Sequence, residues 1–292
     1  MEQDFTRLIS EADAAIKAGD FDQAEQLYRS LLEKQPDSAT ACFALGTMAM
    51  QKKDYKTALE FLNRAAELEP EAVDIAFNFA HCLVQVGNRI GALVQLQRAT
   101  RFCKDDPVFC SRIADALQRL GEPAAAIELL GRLQALIPQD QIILAKANGR
   151  LSNWREGVNI LKRLNEAAPD DPEVANELAL AAGKLRDYPT AISAFERYLR
   201  LVRPTARDYL RFADLLLIAQ NADRCDLALE RAMELGEDGP EVHVMKARVA
   251  RLNGNYEESN AALDKALERM PNHGQAWSIR AELASEDQLN GF

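Results

Sequence analysis

The chain repeats itself every 34 residues, and few folds are open to a chain that does so. The stretch "KKDYKTALEFLNRAAELEP" at 52–70 has counterparts in "AGDFDQAEQLYRSLLEKQP", "LRDYPTAISAFERYLRLVRP" and "NGNYEESNAALDKALERMP". Shortly after each such turn comes a small residue: Ala24, Ala58, Ala92, Ala126, Gly157, Ala191, Cys225 and Ser259. Their spacings are 34, 34, 34, 31, 34, 34 and 34. A second small column lies twelve residues earlier, at Ala12, Gly46, Ala80, Ala114, Ala145, Ala179, Ala213 and Ala247, with Ala281 as a ninth. Four residues after the first marker the side chain is always large: Tyr28, Leu62, Leu96, Leu130, Leu161, Phe195, Leu229 and Leu263.

Helix geometry explains the columns, because residues three and four apart share a face. Within one unit, Cys42, Leu45, Gly46 and Ala49 make one stripe, and Ala58, Leu62 and Ala65 make another. Between them lies "QKKDY", where a first helix ends and Asp54 is placed to cap a second. Pro70 closes the unit, since proline does not continue a helix. Each unit therefore reads as two antiparallel helices. The small columns let the backbones approach, and the large column fills the space between units. Units fall at 5–38, 39–72, 73–106, 107–140, 138–171, 172–205, 206–239 and 240–273, with a capping helix at 274–288. A solenoid needs such a helix to cover its last apolar face. The 31-residue step predicts an irregular junction near Pro138–Gly149, with a shortened loop and normal stacking as the alternative.

A 34-residue helix–turn–helix, small at its eighth and twentieth positions, resembles the tetratricopeptide repeat. The unit at 39–72 carries the resemblance most fully, through Leu45-Gly46, Asp54-Tyr55, Ala58, Ala65 and Pro70. The likeness spans about residues 5–284. Departures are present: Lys104, Arg203 and Glu237 stand at the closing-proline position, and Leu8, Cys42, Ala76 and Cys110 replace the family's aromatic at position four. The resemblance implies an all-α, right-handed α-solenoid, a single array over 1–292 whose first helices line a concave groove.

Composition narrows the partners. Nearly half the residues are hydrophobic (48%) and 27% are charged, enough for a folded core. A net charge of −10 argues against nucleic acid, which needs a basic face. The opening MEQDFTRLIS lacks a secretory signal, and no apolar run reaches the length of a membrane span, so a cytoplasmic protein without a membrane partner is expected. The five cysteines form no CxxC pair, and Cys42, Cys82 and Cys225 read as reduced core thiols.

By the same resemblance, positions two, five, six, nine and twelve of each unit face the groove. Phe43 and Phe77 fall there at equivalent positions of adjacent units and suggest a site for an apolar side chain; the alternative is that they tuck into the interhelical core. Arg207, Arg211, Arg248 and Arg251, offset by Asp214 and Glu241, form a basic cluster suited to a carboxylate. Its alternative is a set of solvated arginines paired with local acids. Some family members hold a chaperone's C-terminal carboxylate with Lys, Asn and Arg. Here Asn78 and Arg112 match two of those five positions, while Phe43, Thr47 and Val108 depart from the pattern, which disfavours that mode. Asn78 remains suited to an extended peptide backbone.

Chemistry is not visible. His81, His243 and His273 lie in different units without a cysteine at ligand spacing, and no P-loop, GxGxxG turn or GxSxG elbow occurs. No catalytic residue, metal or cofactor is expected. The leading expectation is a non-catalytic scaffold that binds a peptide or helix of a partner protein in the groove, through an acidic or C-terminal carboxylate group. A second is the regulatory N-terminal array of a larger enzyme, such as a bacterial sulfotransferase or glycosyltransferase; the ending "EDQLNGF" fits truncation. Self-association through the array's ends or groove is a third.

Overall fold

Left-handed backbone at the fifteenth position of every unit cuts the chain into helices. Gly19, Lys53, Gly87, Gly121, Ser152, Arg186, Gln220 and Gly254 all have φ between 56° and 82°. Seven of the eight end a first helix with the bond pattern of a left-handed cap: the N–H of Asp54 donates to Ala49 O, of Asn88 to Leu83 O and of Asn221 to Leu216 O, each at 2.9 Å. In five of the eight units the next side chain then caps the second helix. Asp20 accepts from the Gln23 N–H (3.0 Å), Asp54 from Thr57 (3.2 Å), Asn88 from Gly91 (2.9 Å) and Asp187 from Thr190 (3.3 Å). A side chain at positive φ is strained, yet four of the eight sites are not glycine. Lys53→Gly is expected to stabilise by about 0.5 kcal/mol. A methyl at Gly87 would meet nothing within 4 Å, so Gly87→Ala is expected to cost about 1 kcal/mol from backbone strain alone. Denaturant midpoints check both.

The computed structural model describes residues 2–104 and 106–290, with side chains over 4–104 and 106–285. Among these the chain is α-helical throughout, without a strand, and it divides into two compact units at Leu151–Ser152. In the first unit, α1 (Glu2–Ala18) pairs with α2 (Phe21–Lys34), and α3 (Ala39–Gln51) with α4 (Tyr55–Leu68). Next, α5 (Val73–Gln85) pairs with α6 (Arg89–Phe102), and α7 (Pro107–Arg119) with α8 (Pro123–Leu130), before α9 (Pro138–Arg150) packs on α7 and α8. The second unit opens with α10 (Trp154–Ala167). It continues as α11 (Pro172–Lys184) with α12 (Tyr188–Leu201), and α13 (Ala206–Ile218) with α14 (Ala222–Glu234). Its last pair is α15 (Pro240–Leu252) with α16 (Tyr256–Arg269), and α17 (Gly274–Asn290) follows. First helices stack on first helices: α3 on α5 on α7 in one unit, α13 on α15 on α17 in the other.

The three missing residues of the 31-residue step come out of α8, which has 8 residues where α4, α6 and α12 have 14. Residues 131–137 then run without helix to Pro138. The irregularity therefore lies just ahead of Pro138; Asn148 and Gly149 sit inside a regular helix.

Both small columns are buried from the first unit through Ser259 and Ala247, and no residue of the large column is more than 3% exposed. At Gly46 a Cβ would come within 2.7 Å of Leu62 Cγ, so the helix crossing there leaves no room for a methyl. Two polar members of the first column bond across the crossing to the carbonyl of the second: Cys225 Sγ donates to Ala213 O (3.2 Å) and Ser259 Oγ to Ala247 O (2.9 Å). Burial pushes the Cys225 thiol up to about 12. Arginines stitch successive pairs. Arg64 donates to Pro36 O (2.5 Å), and Arg98 to Ala66 O (3.0 Å) and Pro70 O, supplying donors to carbonyls that a helix end leaves open.

The columns change meaning in α17. That helix buries Ala276, Ile279 and Leu283 against the preceding pair, while Ala281 is exposed and Trp277 is half exposed. In α3, α5, α7, α11, α13 and α15 the eighth position packs where the second helix of the same pair crosses, and among the described residues no helix follows α17.

One buried histidine adds a pH dependence to the α15–α16 pair. His243 is buried, with Nε2 2.9 Å from Asp238 Oδ1, and Asp238 also accepts from Arg269. Burial lowers the His243 pKa below its ordinary 6.5, outweighing the opposing pull of Asp238. The folded protein therefore holds the ring neutral, and the unfolded chain takes the proton first as pH falls. Stability is present above about pH 6.5 and drains away below it. Protection factors of the α15 amides, with the intrinsic pH dependence of exchange divided out, are expected to fall between about pH 7 and pH 5.5, and His243→Gln is expected to remove that fall.

Candidate functional site

Where two first helices stand side by side, the side chains at their open face leave a cleft. Between α5 and α7 it measures about 470 Å³, with Leu96 of α6 at its floor, Phe77, His81 and Val84 on one wall, and Arg112 and Asp115 on the other. Between α11 and α13 a second cleft measures about 310 Å³, with Phe195 of α12 at its floor, Leu180 and Lys184 on one wall, and Arg211 and Asp214 on the other. The second is the first displaced by 99 residues: Leu96 becomes Phe195, His81 becomes Leu180, and Arg112 and Asp115 become Arg211 and Asp214. Arginine at position six with aspartate at position nine occurs in the units at 107–140 and 206–239 alone.

The two arginines are held differently. The Arg112 guanidinium carbon lies 4.3 Å from the Phe77 ring centroid, and among the described residues no carboxylate lies within ion-pair distance of it. Asp115 is instead bound by Arg119 at 2.8 Å. Arg211 donates to Asn176 Oδ1 (2.8 Å), lies 3.6 Å from Asp208 and sits 5.3 Å from the Phe195 ring. Asp208 itself caps α13: it accepts from the Thr205 N–H and hydroxyl at 2.9 and 2.7 Å. Those bonds and the Tyr198 hydroxyl hold its carboxyl below the usual range despite burial, which opposes them.

The other anticipated residues are dispersed. Phe43 and Phe77 are both half-buried and packed against the core of the first unit. Asn78 donates its amide to Asp74 O (2.8 Å) of its own helix. Arg207 is exposed on α13 and Arg248 half-buried on α15. Arg211 turns toward α11, while Arg251 bonds Glu282 of α17, so these two reach in opposite directions along the stack. Gln118, Leu217 and Val244, at groove positions by register, are buried. The second cleft's wall on α11 was missed by the sequence reading, although adding 99 to each residue of the first would have located it.

Among the described residues no group of three or more His, Cys, Asp or Glu is placed to hold a metal, and no helix is long and apolar enough to cross a membrane. Helix pairs in 34-residue register, crossing over small side chains, define an α-helical repeat protein. The family model "Tetratricopeptide repeat" matches residues 9–73, 144–209 and 244–288, more than half of the sequence, and a second model of that description matches 49–109. The chain belongs to the tetratricopeptide repeat family. No curated protein matches it. Among solved structures, a tetratricopeptide repeat protein from Parabacteroides merdae is similar at a TM-score of 0.60 and 16% identity, over 88% of this chain and 99% of that one. The C-terminal part of a repeat protein from Cytophaga hutchinsonii is similar at 0.55 and 15%, over 92% and 98%. MamA of MSR-1 is similar at 0.51 and 19%, over 57% and 97%. At these identities the likeness is one of fold.

Proposed function

We propose that the chain is a non-catalytic scaffold that holds segments of a partner protein in the two clefts. An acidic side chain or chain terminus meets Arg112 or Arg211, and a neighbouring apolar side chain sits on the floor. The observation that carries this reading is the recurrence of one arginine–aspartate pair over one apolar floor at the same register in each compact unit. Repeat geometry alone supplies a space between every two first helices; it does not supply the same charged pair twice. The net charge of −10 does not oppose an acidic partner at contact range, because physiological salt screens charges beyond about 8 Å. A displayed library of random peptides, selected on the full chain, tests the reading. Selected sequences are expected to share an acidic residue next to an apolar one and to lose affinity on charge reversal of Arg112 and Arg211. Selected peptides that bind the double variant unchanged would overturn it.

A further inference from the structure

We propose that Cys103 and Cys110 are a peroxide-reactive pair that closes to a reversible disulfide. Their Sγ atoms lie 3.5 Å apart, in van der Waals contact, and are separated by seven residues across the α6–α7 connection. A disulfide needs about 2.05 Å, so the sulfurs must approach by about 1.5 Å. The backbone at Cys103 can supply that movement. Cys103 is the cap residue just past α6, outside any helix, and the residue after it, Lys104, is left-handed at φ 48°. Cys110 is held in the first turns of α7 and is fully buried, so it is the fixed member. The remaining cysteines lie in three separate helices: Cys42 in α3, Cys82 in α5 and Cys225 in α14.

Cys103, the slightly more accessible of the two, takes the oxidant. Its sulfur attacks one peroxide oxygen, the O–O bond breaks, and the leaving hydroxide takes up the proton given up by the Cys103 thiol, so that a sulfenic acid and one water result. The Cys110 sulfur then attacks the Cys103 sulfur, the S–OH bond breaks, and the hydroxide leaves as a second water with the Cys110 proton. Overall two thiols and one hydrogen peroxide become one disulfide and two waters. A small dithiol returns the pair to the reduced state by exchange.

The full chain is exposed to hydrogen peroxide, its remaining thiols are alkylated under denaturing conditions, and it is digested with trypsin without reduction. Cleavage after Arg101, Lys104 and Arg112 puts the two cysteines in different peptides, "FCK" and "DDPVFCSR". The expected product is the two peptides joined, two hydrogens lighter than their sum, and lost on treatment with dithiothreitol. Cys103→Ser and Cys110→Ser are expected to abolish it, and Cys42→Ser to leave it intact, with helicity checked by circular dichroism. Wild-type protein suffices to refute the idea. Both thiols remaining open to alkylation after peroxide, higher acids of either cysteine without the linked pair, or linkage of either one to a different cysteine would each overturn it.

Discussion

An Ala213→Leu variant is expected to melt well below the parent, whereas Ala281→Leu, the same substitution in the same sequence column, is expected to leave the melting point unchanged. Ala213 is fully buried where α13 crosses α14, and its own carbonyl accepts the Cys225 thiol across that crossing. A leucine there brings three additional carbons into a space that holds none, and overpacking of this kind costs about 1–3 kcal/mol or more. The cost does not stay at one site. In a stacked repeat each pair is stabilised by its neighbours, so splaying α13 from α14 also weakens their contacts with α12 and α15. For a unit of this size about 3 kcal/mol corresponds to a fall of roughly 6–12 °C. Gly46→Leu is expected to behave like Ala213→Leu, since even a Cβ at Gly46 would press on Leu62. Ala281 is exposed, and surface substitutions of this kind stay within about 0.5 kcal/mol. Paired thermal melts by circular dichroism decide the matter. Equal effects at 213 and 281 would contradict the assigned crossing.

Charge reversal at Arg112 is expected to weaken capture of an acidic, apolar-flanked peptide by about 10- to 100-fold, the equivalent of a lost charge-assisted hydrogen bond of about 1.5–3 kcal/mol. The guanidinium already lies over the Phe77 ring, so part of the ordering it needs in order to bind is present without ligand. Arg211→Glu is expected to have a smaller effect. That side chain has protein partners in Asn176 and Asp208 and must leave or share them to take a carboxylate. The double variant should lose both contributions, and titration calorimetry or fluorescence anisotropy on a selected peptide measures each. Added salt should reduce the wild-type affinity and leave the double variant's residual, apolar binding nearly unchanged. Helicity of all three variants should match the parent, because neither arginine caps a helix or fills a crossing.

The chain's local repeat logic was legible in its sequence. Period, register, the two small columns, the large column and the Asp or Asn that opens seven of the eight second helices could all be read off, because in a stacked repeat nearly every core contact lies within one period of the residue that makes it. Reading Cys225 and Ser259 as stand-ins for alanine required only their place in a column, and both are buried at a crossing. Other features awaited tertiary structure. The 31-residue step announced an irregularity, but only the fold showed that α8 absorbs it ahead of Pro138. Ala281 kept its column and lost its burial, because burial belongs to the helix that packs against a residue and not to the residue's position. The arginines make the point most plainly. Register places Arg112, Arg211 and Arg251 on comparable faces, yet one lies over a phenylalanine, one binds an asparagine behind it and one a glutamate ahead of it. Periodicity determines which face a long side chain leaves from; the neighbours it meets in the adjacent pair determine where its charge comes to rest.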